Sequence, residues 1–119
     1  MVAHTPEAGQ TFGMGHERND ARSLAYHRVI AARLPGDPSL LQAARAKLRR
    51  WRAEGSVHDH YILRWEQLLA LPMPQLMSAL VDSAQEVCDL RQVSPFTAAL
   101  DPRERWTIWR NTQAGVQQP

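Results

Sequence analysis

Proline and glycine interrupt this chain so often that no regular element can run long. "LPGDP" at 34–38, Gly55, "LPMP" at 71–74, Ser94-Pro95 and Asp101-Pro102 each break or restart the backbone. Between the breaks, apolar residues recur at helical spacing. No segment alternates apolar and polar residues long enough to predict a strand. The pattern predicts an all-α fold, a compact bundle of five or six short helices with tight connections and a mobile N-terminal tail.

The first helix is predicted from about Ala21 to Leu34, with Asp20 placed to cap its free amides. Leu24, Tyr26, Val29, Ile30 and Leu34 form its apolar stripe. Asp37-Pro38 supplies an N-cap and a first-turn proline for the second helix. That helix has Leu40, Leu41, Ala44, Leu48 and Trp51 on its inner face and Gly55 at its end. Ser56 and Asp59 have capping-box spacing and open a third helix to about Leu71, with Ile62, Trp65, Leu68 and Leu69 inward. Leu76, Met77, Leu80 and Val81 mark a fourth. Ser83 and Glu86 repeat the capping-box spacing ahead of a fifth, which carries Val87, Cys88 and Leu90. Two short units close the chain, the second opened by Asp101, Pro102 and the reciprocal carboxylate Glu104. Residues 20–111 are expected to form the single helical domain. Residues 1–19 and 112–119 are expected to be loosely packed or disordered tails.

A chain of 119 residues supports one domain with one modest core. The single cysteine, Cys88, excludes an internal disulfide or a cysteine-built zinc site and fits a reducing compartment. No apolar run approaches the roughly 18 residues that span a bilayer, and the first twenty residues lack the pattern of a secretory signal. The expected location is cytoplasmic, with no membrane partner.

A net charge of +2 does not by itself demand a nucleic-acid partner, but the charge is unevenly placed. From Arg18 to Arg52 there are nine basic residues against two acids; from Ala53 onward there are five against eight. Arg45, Arg49 and Arg52 follow i, i+4, i+7 spacing on the second helix, and Lys47 and Arg50 widen the charged surface. Arg45, Arg49, Arg50 and Arg52 are therefore candidate contacts for phosphates or for an acidic protein surface. A helix-turn-helix across "LRRWRAEGSVHDHYILRW" is a weaker reading. Trp51 is bulky where two helices would cross, and Asp59 near the phosphates would repel.

His58, Asp59 and His60 suggest a metal cluster, but alternate residues lie about 200° apart on a helix and no third ligand is near in sequence. No metal and no cofactor are expected. No phosphate loop, nucleophile motif or paired-His signature is present, so no catalytic residue is nominated and an enzyme is the least favoured class. Tyr26-His27 reads as a packed tyrosine beside a half-exposed histidine, and Cys88 as a small buried apolar residue.

The stretch "SPFTAALDPRERWTIWR" concentrates aromatic surface where little chain remains to cover it. Trp106 and Trp109 are three apart and share a helix face, with Arg103, Arg105 and Arg110 around them. One outcome is that this helix folds back and caps the core. The other is that Phe96, Arg103, Arg105, Trp106, Trp109 and Arg110 anchor a partner protein, since aromatic and arginine residues dominate interface hot spots.

"RSLAYHRVIAARL", "ARAKLRRWRAEGSVHDHYILRWEQLL" and "LRQVSPFTAALDPRERWTIWR" resemble small helical bacterial antitoxin-type proteins over about residues 22–110. Ser94, Pro95, Phe96, Arg103, Glu104, Arg105, Trp106 and Trp109 match the Ser-Pro-Phe / Pro-x-Glu-Arg-Trp tail of that group. The resemblance implies a cytoplasmic inhibitor that neutralises a cognate toxin protein by direct contact, a nucleotidyltransferase-like toxin being one candidate. It also allows operator DNA as a second partner. The alternative reading is a DNA- or RNA-binding regulator that uses the basic second helix.

Overall fold

The computed structural model describes residues 20–117, with side chains described to Thr112. The tail expected at residues 1–19 lies outside the described residues. Six α-helices follow in order, with no strand among the described residues: α1 (20–33), α2 (Ser39–Glu54), α3 (Asp59–Leu69), α4 (Met73–Leu80), α5 (Gln85–Arg91) and α6 (Pro102–Gln117). Short 3₁₀ turns at Leu34–Gly36 and Thr97–Ala99 lead out of α1 and towards α6.

The punctuation acts largely where its chemistry predicts. Gly55 ends α2 in the left-handed conformation (φ 65°), and its N–H donates to Trp51 O at 2.9 Å. A side chain there would meet no neighbour, so the requirement is purely one of backbone. Gly55→Ala should therefore lower stability by about 1 kcal/mol, read as a lower urea midpoint; an unchanged midpoint would contradict this account of the turn. At α6, Asp101 Oδ1 accepts the Glu104 N–H at 2.7 Å with Pro102 in the first turn. Asp37 Oδ1 accepts the Ser39 N–H at 3.2 Å at the start of α2.

Three predicted starts are corrected. At α3, His58 is the N-cap, its Nδ1 accepting the His60 N–H at 3.0 Å, while Ser56 lies too early and turns to Glu54. At α5, Asp82 Oδ1 accepts the Ala84 N–H at 2.7 Å; Glu86 instead takes both guanidinium arms of Arg64, each at 2.9 Å. At α1, Asp20 is already helical and accepts from Gln92 Nε2 at 2.8 Å. The C-terminal boundary also moves: α6 continues past 111 to Gln117, because nothing in "NTQAGVQ" forces a stop and Thr112 Oγ1 bonds back to Ile108 O at 2.9 Å.

One core joins the helices. Ile30, Leu34, Ala44, Leu48, Ile62, Leu69, Leu76, Leu80 and Leu90 are all buried around Trp65, which is 0% exposed. Most inner-face residues predicted from periodicity are buried or half-buried. In α1 the face is rotated: His27 and Ala31 are buried beside Ile30 and Leu34, while Tyr26 sits half-buried at the edge. The expectation of a half-exposed His27 is overturned, because its ring is 0% exposed and stacks on Trp65 at 6.2 Å.

The linker between α5 and α6 is itself interior. Ser94, Pro95, Phe96 and Leu100 are buried, and Phe96 meets Trp65 edge-on at 5.9 Å. Trp65 Nε1 donates to Val93 O at 2.7 Å and Leu90 O at 3.2 Å, tying this linker to α3. His27 Nδ1 lies 2.7 Å from Ser23 O, and its Nε2 2.7 Å from Ser94 Oγ. The Ser23 carbonyl can only accept, so Nδ1 carries the proton and Nε2 accepts from the Ser94 hydroxyl. Ser94 Oγ in turn accepts the Phe96 N–H at 3.1 Å.

Arg91 is the one arginine in the interior of the described residues, 3% exposed. Its Nη1 donates to Asp82 O at 2.8 Å and Leu80 O at 3.1 Å, the free carbonyls at the end of α4, and its Nη2 lies 3.3 Å from Cys88 Sγ. The cation thus sits on the negative end of a helix dipole. Cys88, expected to be a buried apolar residue, is only half-buried beside it. No helix of the described residues is long and apolar enough to cross a membrane.

Candidate functional site

The last helix presents Pro102, Arg105, Trp106 and Trp109 along one stripe, at i, i+3, i+4 and i+7. The stripe faces Arg22 and Tyr26, one turn apart on α1, across a groove of about 310 Å³ that these six residues line. At the other end of the helix pair, Arg33 Nη2 donates to Glu104, so α1 and α6 meet at both ends. Non-local packing therefore assembles the groove from elements at opposite ends of the described chain.

Trp106 is 58% exposed, the largest hydrophobic side chain left open to water among the described residues. Trp109 is half-buried, and the Arg22 guanidinium lies over its ring at 5.2 Å. Arg22 Nε is sealed from solvent without a hydrogen-bond acceptor. Arg105 is half-buried along the groove, and Arg103 and Arg110 are exposed on the flanks of the same helix. Ile108 packs against the core and holds the helix in place. The groove is basic at its rim and aromatic in its walls, and no acidic residue among the described residues lines it.

Five of the six predicted partner contacts, Arg103, Arg105, Trp106, Trp109 and Arg110, thus lie on α6. Phe96 does not join them. It is 1% exposed in the core, because the linker that carries it folds inward before α6 begins. The three groove residues outside the predicted contact set are Arg22, Tyr26 and Pro102. Periodicity puts Tyr26 on the apolar stripe of α1 and marks Arg22 only as one of the basic residues between Arg18 and Arg52; the position of α6 gives both a role here.

The basic face of α2 is also formed, but half of it is occupied. Arg45 Nη2 donates to Leu69 O at 3.1 Å, and Arg52 Nη2 pairs with Glu66 at 2.9 Å. Arg49 and Arg50 are exposed with no hydrogen-bond or ion-pair partner among the described residues. Arg45, Leu48, Arg49, Glu66, Leu69 and Ala70 line a second cleft, about 260 Å³, whose positive charge Glu66 partly offsets.

A serine–histidine pair invites a catalytic reading, and Ser94 with His27 has the hydrogen-bond direction such a pair needs. Both are buried, His27 at 0% and Ser94 at 8% exposure, and neither lines either groove. Burial pushes the His27 imidazole down to about 4, against the raising effect of its bond to Ser23 O and with a smaller push in the same direction from Arg91. The pair fastens the α5–α6 linker to α1. His58, offered in the sequence as a possible metal ligand, spends its Nδ1 on capping, and His60 lies edge-on to Tyr61 at 5.4 Å.

No protein-family profile, no curated protein and no solved structure matches this chain.

Proposed function

We propose that the protein acts by binding another protein through the α6 face, as a non-catalytic inhibitor of the antitoxin type. The observation that carries this reading is Trp106, 58% exposed on the wall of a groove built from rings and guanidinium groups. An exposed tryptophan in such a setting gains most from being covered by a partner's surface, and Trp and Arg are the residues most enriched among interface hot spots. The charge of the groove specifies the partner's face: with Arg22 and Arg105 lining it and no acid among the described residues there, the complementary surface is acidic. An inhibitor of this kind needs preorganised contact area and no reacting group. The tail resemblance supplies the finer reading, a toxin protein that this chain neutralises in the cytoplasm, with a nucleotidyltransferase-like enzyme as one candidate.

The arginine face of α2 supports the second reading, in which operator DNA or RNA is bound, less well. Arg45 and Arg52 are already engaged, which leaves Arg49 and Arg50 as the unpaired guanidinium groups of the predicted set. Two cations make a small footprint for a phosphate chain.

Trp106→Ala tests the proposal. The side chain contributes little to the core, so the helical signal and melting temperature should stay near those of the parent chain. Affinity for the product of the neighbouring gene, measured by calorimetry, should fall by about 2 kcal/mol, roughly thirtyfold. Unchanged affinity for a neighbour that does bind would remove Trp106 from the interface. A collapse of the fold would assign it to the core instead.

A further inference from the structure

Arg22 is the unusual arginine of this molecule. Arg33, Arg52 and Arg64 each pair with a carboxylate, and Arg45 and Arg91 each donate to main-chain carbonyls. Arg22 is half-buried, yet the face of Trp109 is the one ring, hydrogen-bond or ion-pair partner it has among the described residues. Its Nε is closed off from water with nothing to donate to. Arg91 also has an unpartnered Nε, but both of its terminal nitrogens have acceptors. A sealed donor without an acceptor is unfavourable. The terminal nitrogens of Arg22 are not sealed and have no acceptor among the described residues, so they are the atoms that an acceptor supplied from outside would meet.

Among the described residues, the acids nearest in sequence to the groove's lining residues do not supply that acceptor. Asp20 accepts from Gln92, Glu104 from Arg33, and Asp101 from the amide of Glu104. From this geometry we infer that the groove is a carboxylate-reading subsite: it takes an Asp or Glu side chain of a partner protein, presented on a short segment with an apolar neighbour. The inference rests on the protein-binding reading above and names the chemistry the partner must bring. Arg22 and Arg105 supply planar forks that match a carboxylate. Stacking on Trp109 sets the plane of the Arg22 guanidinium in advance, so less freedom is lost on binding. Tyr26, Pro102 and Trp106 offer the apolar wall for the adjacent side chain. A volume of about 310 Å³ suits a pair of side chains rather than a whole element. The walls are too apolar, and the cations too few, for a run of phosphates.

The test follows the indole N–H signals of the full chain by NMR during titration with the peptide Gly-Ser-Asp-Glu-Phe-Leu-Gly, and with its counterpart Gly-Ser-Asn-Gln-Phe-Leu-Gly. The acidic peptide should move the Trp106 and Trp109 signals and leave those of Trp51 and Trp65 in place. The amide peptide should bind at least about tenfold more weakly, and Arg22→Gln and Arg105→Gln should each weaken the acidic peptide by a similar factor. Equal responses to both peptides, or no response at millimolar concentration, would overturn the inference. If Glu7→Gln with Glu17→Gln moves the same two signals before any peptide is added, the chain's own N-terminal segment fills the groove, and the partner carboxylate is refuted. If the peptide fails while Trp106→Ala still weakens capture of the neighbouring gene product, the protein-binding reading stands and the carboxylate subsite does not.

Discussion

Trp65→Ala is expected to abolish the folded state under ordinary conditions. Trp65 is 0% exposed, stacks on His27, meets Phe96 edge-on and bonds two carbonyls of the α5–α6 linker. Removing the ring opens a cavity that costs about 3–5 kcal/mol. Leaving the Val93 carbonyl without its donor, while Leu90 O keeps the Val93 N–H, adds about 1–3 kcal/mol. A domain of this size has roughly 5–15 kcal/mol to lose, so the variant should lack a cooperative urea transition. Trp65→Phe separates the two contributions: it restores most of the apolar volume but not the donor, and should fold with a loss of about 1–3 kcal/mol. A Trp65→Ala chain whose unfolding free energy lies within about 1 kcal/mol of the parent would show that the core does not depend on this ring.

The second large effect concerns pH. His27 remains neutral in the fold down to about 4 because it is buried, whereas in the unfolded chain it titrates near its ordinary value of 6.5. Between those two values the unfolded chain binds a proton that the native state refuses. Stability is therefore full above about pH 6.5 and is lost as the pH falls towards 4, by about 3 kcal/mol in all. Arg91 acts in the same direction, since its charge also disfavours an imidazolium nearby. Urea unfolding at pH 7.5 and pH 4.5 measures the effect. His27→Gln does not titrate, so its loss over that interval should be smaller than the parent's by about 2–3 kcal/mol. The carboxylates and the other histidines are common to both chains and cancel in the difference. Equal pH dependence in the two chains would mean that His27 is not held neutral by the fold.

These two side chains also mark the limits of reading the sequence. The helices, Gly55 and the Asp101-Pro102 start were legible because each depends on residues a turn or so apart. Trp65 was placed inward by the same periodicity. His27 was not, because neighbours on a helix lie about 100° apart and either Tyr26 or His27 could have faced the core. The hydroxyl that makes burial of an imidazole tolerable comes from Ser94, 67 positions away. Arg91 was equally hidden, since its acceptors are main-chain carbonyls at the end of α4. The capping-box spacings at Ser56 and Ser83 were present, but His58 caps α3 and α5 starts without a side-chain cap, Asp82 closing the turn just ahead of it. Within the candidate site, the α6 side was readable from Trp106, Trp109 and their arginines. The α1 side, Arg22 and Tyr26, depends on a pairing between the two ends of the described chain that no local pattern encodes.

The inward turn of Ser94, Pro95 and Phe96 splits the terminal motif into two halves under different constraints. The first half holds the molecule together, so changes there are paid for in foldedness. In the second half, from Arg103 to Arg110, Ile108 packs against the core and Glu104 pairs with Arg33, but the residues that face outward can be rewritten at small thermodynamic penalty. A lineage built on this scaffold could keep the serine, proline and phenylalanine while exchanging the outward residues of the last helix, and so change its outer surface without having to discover a new architecture.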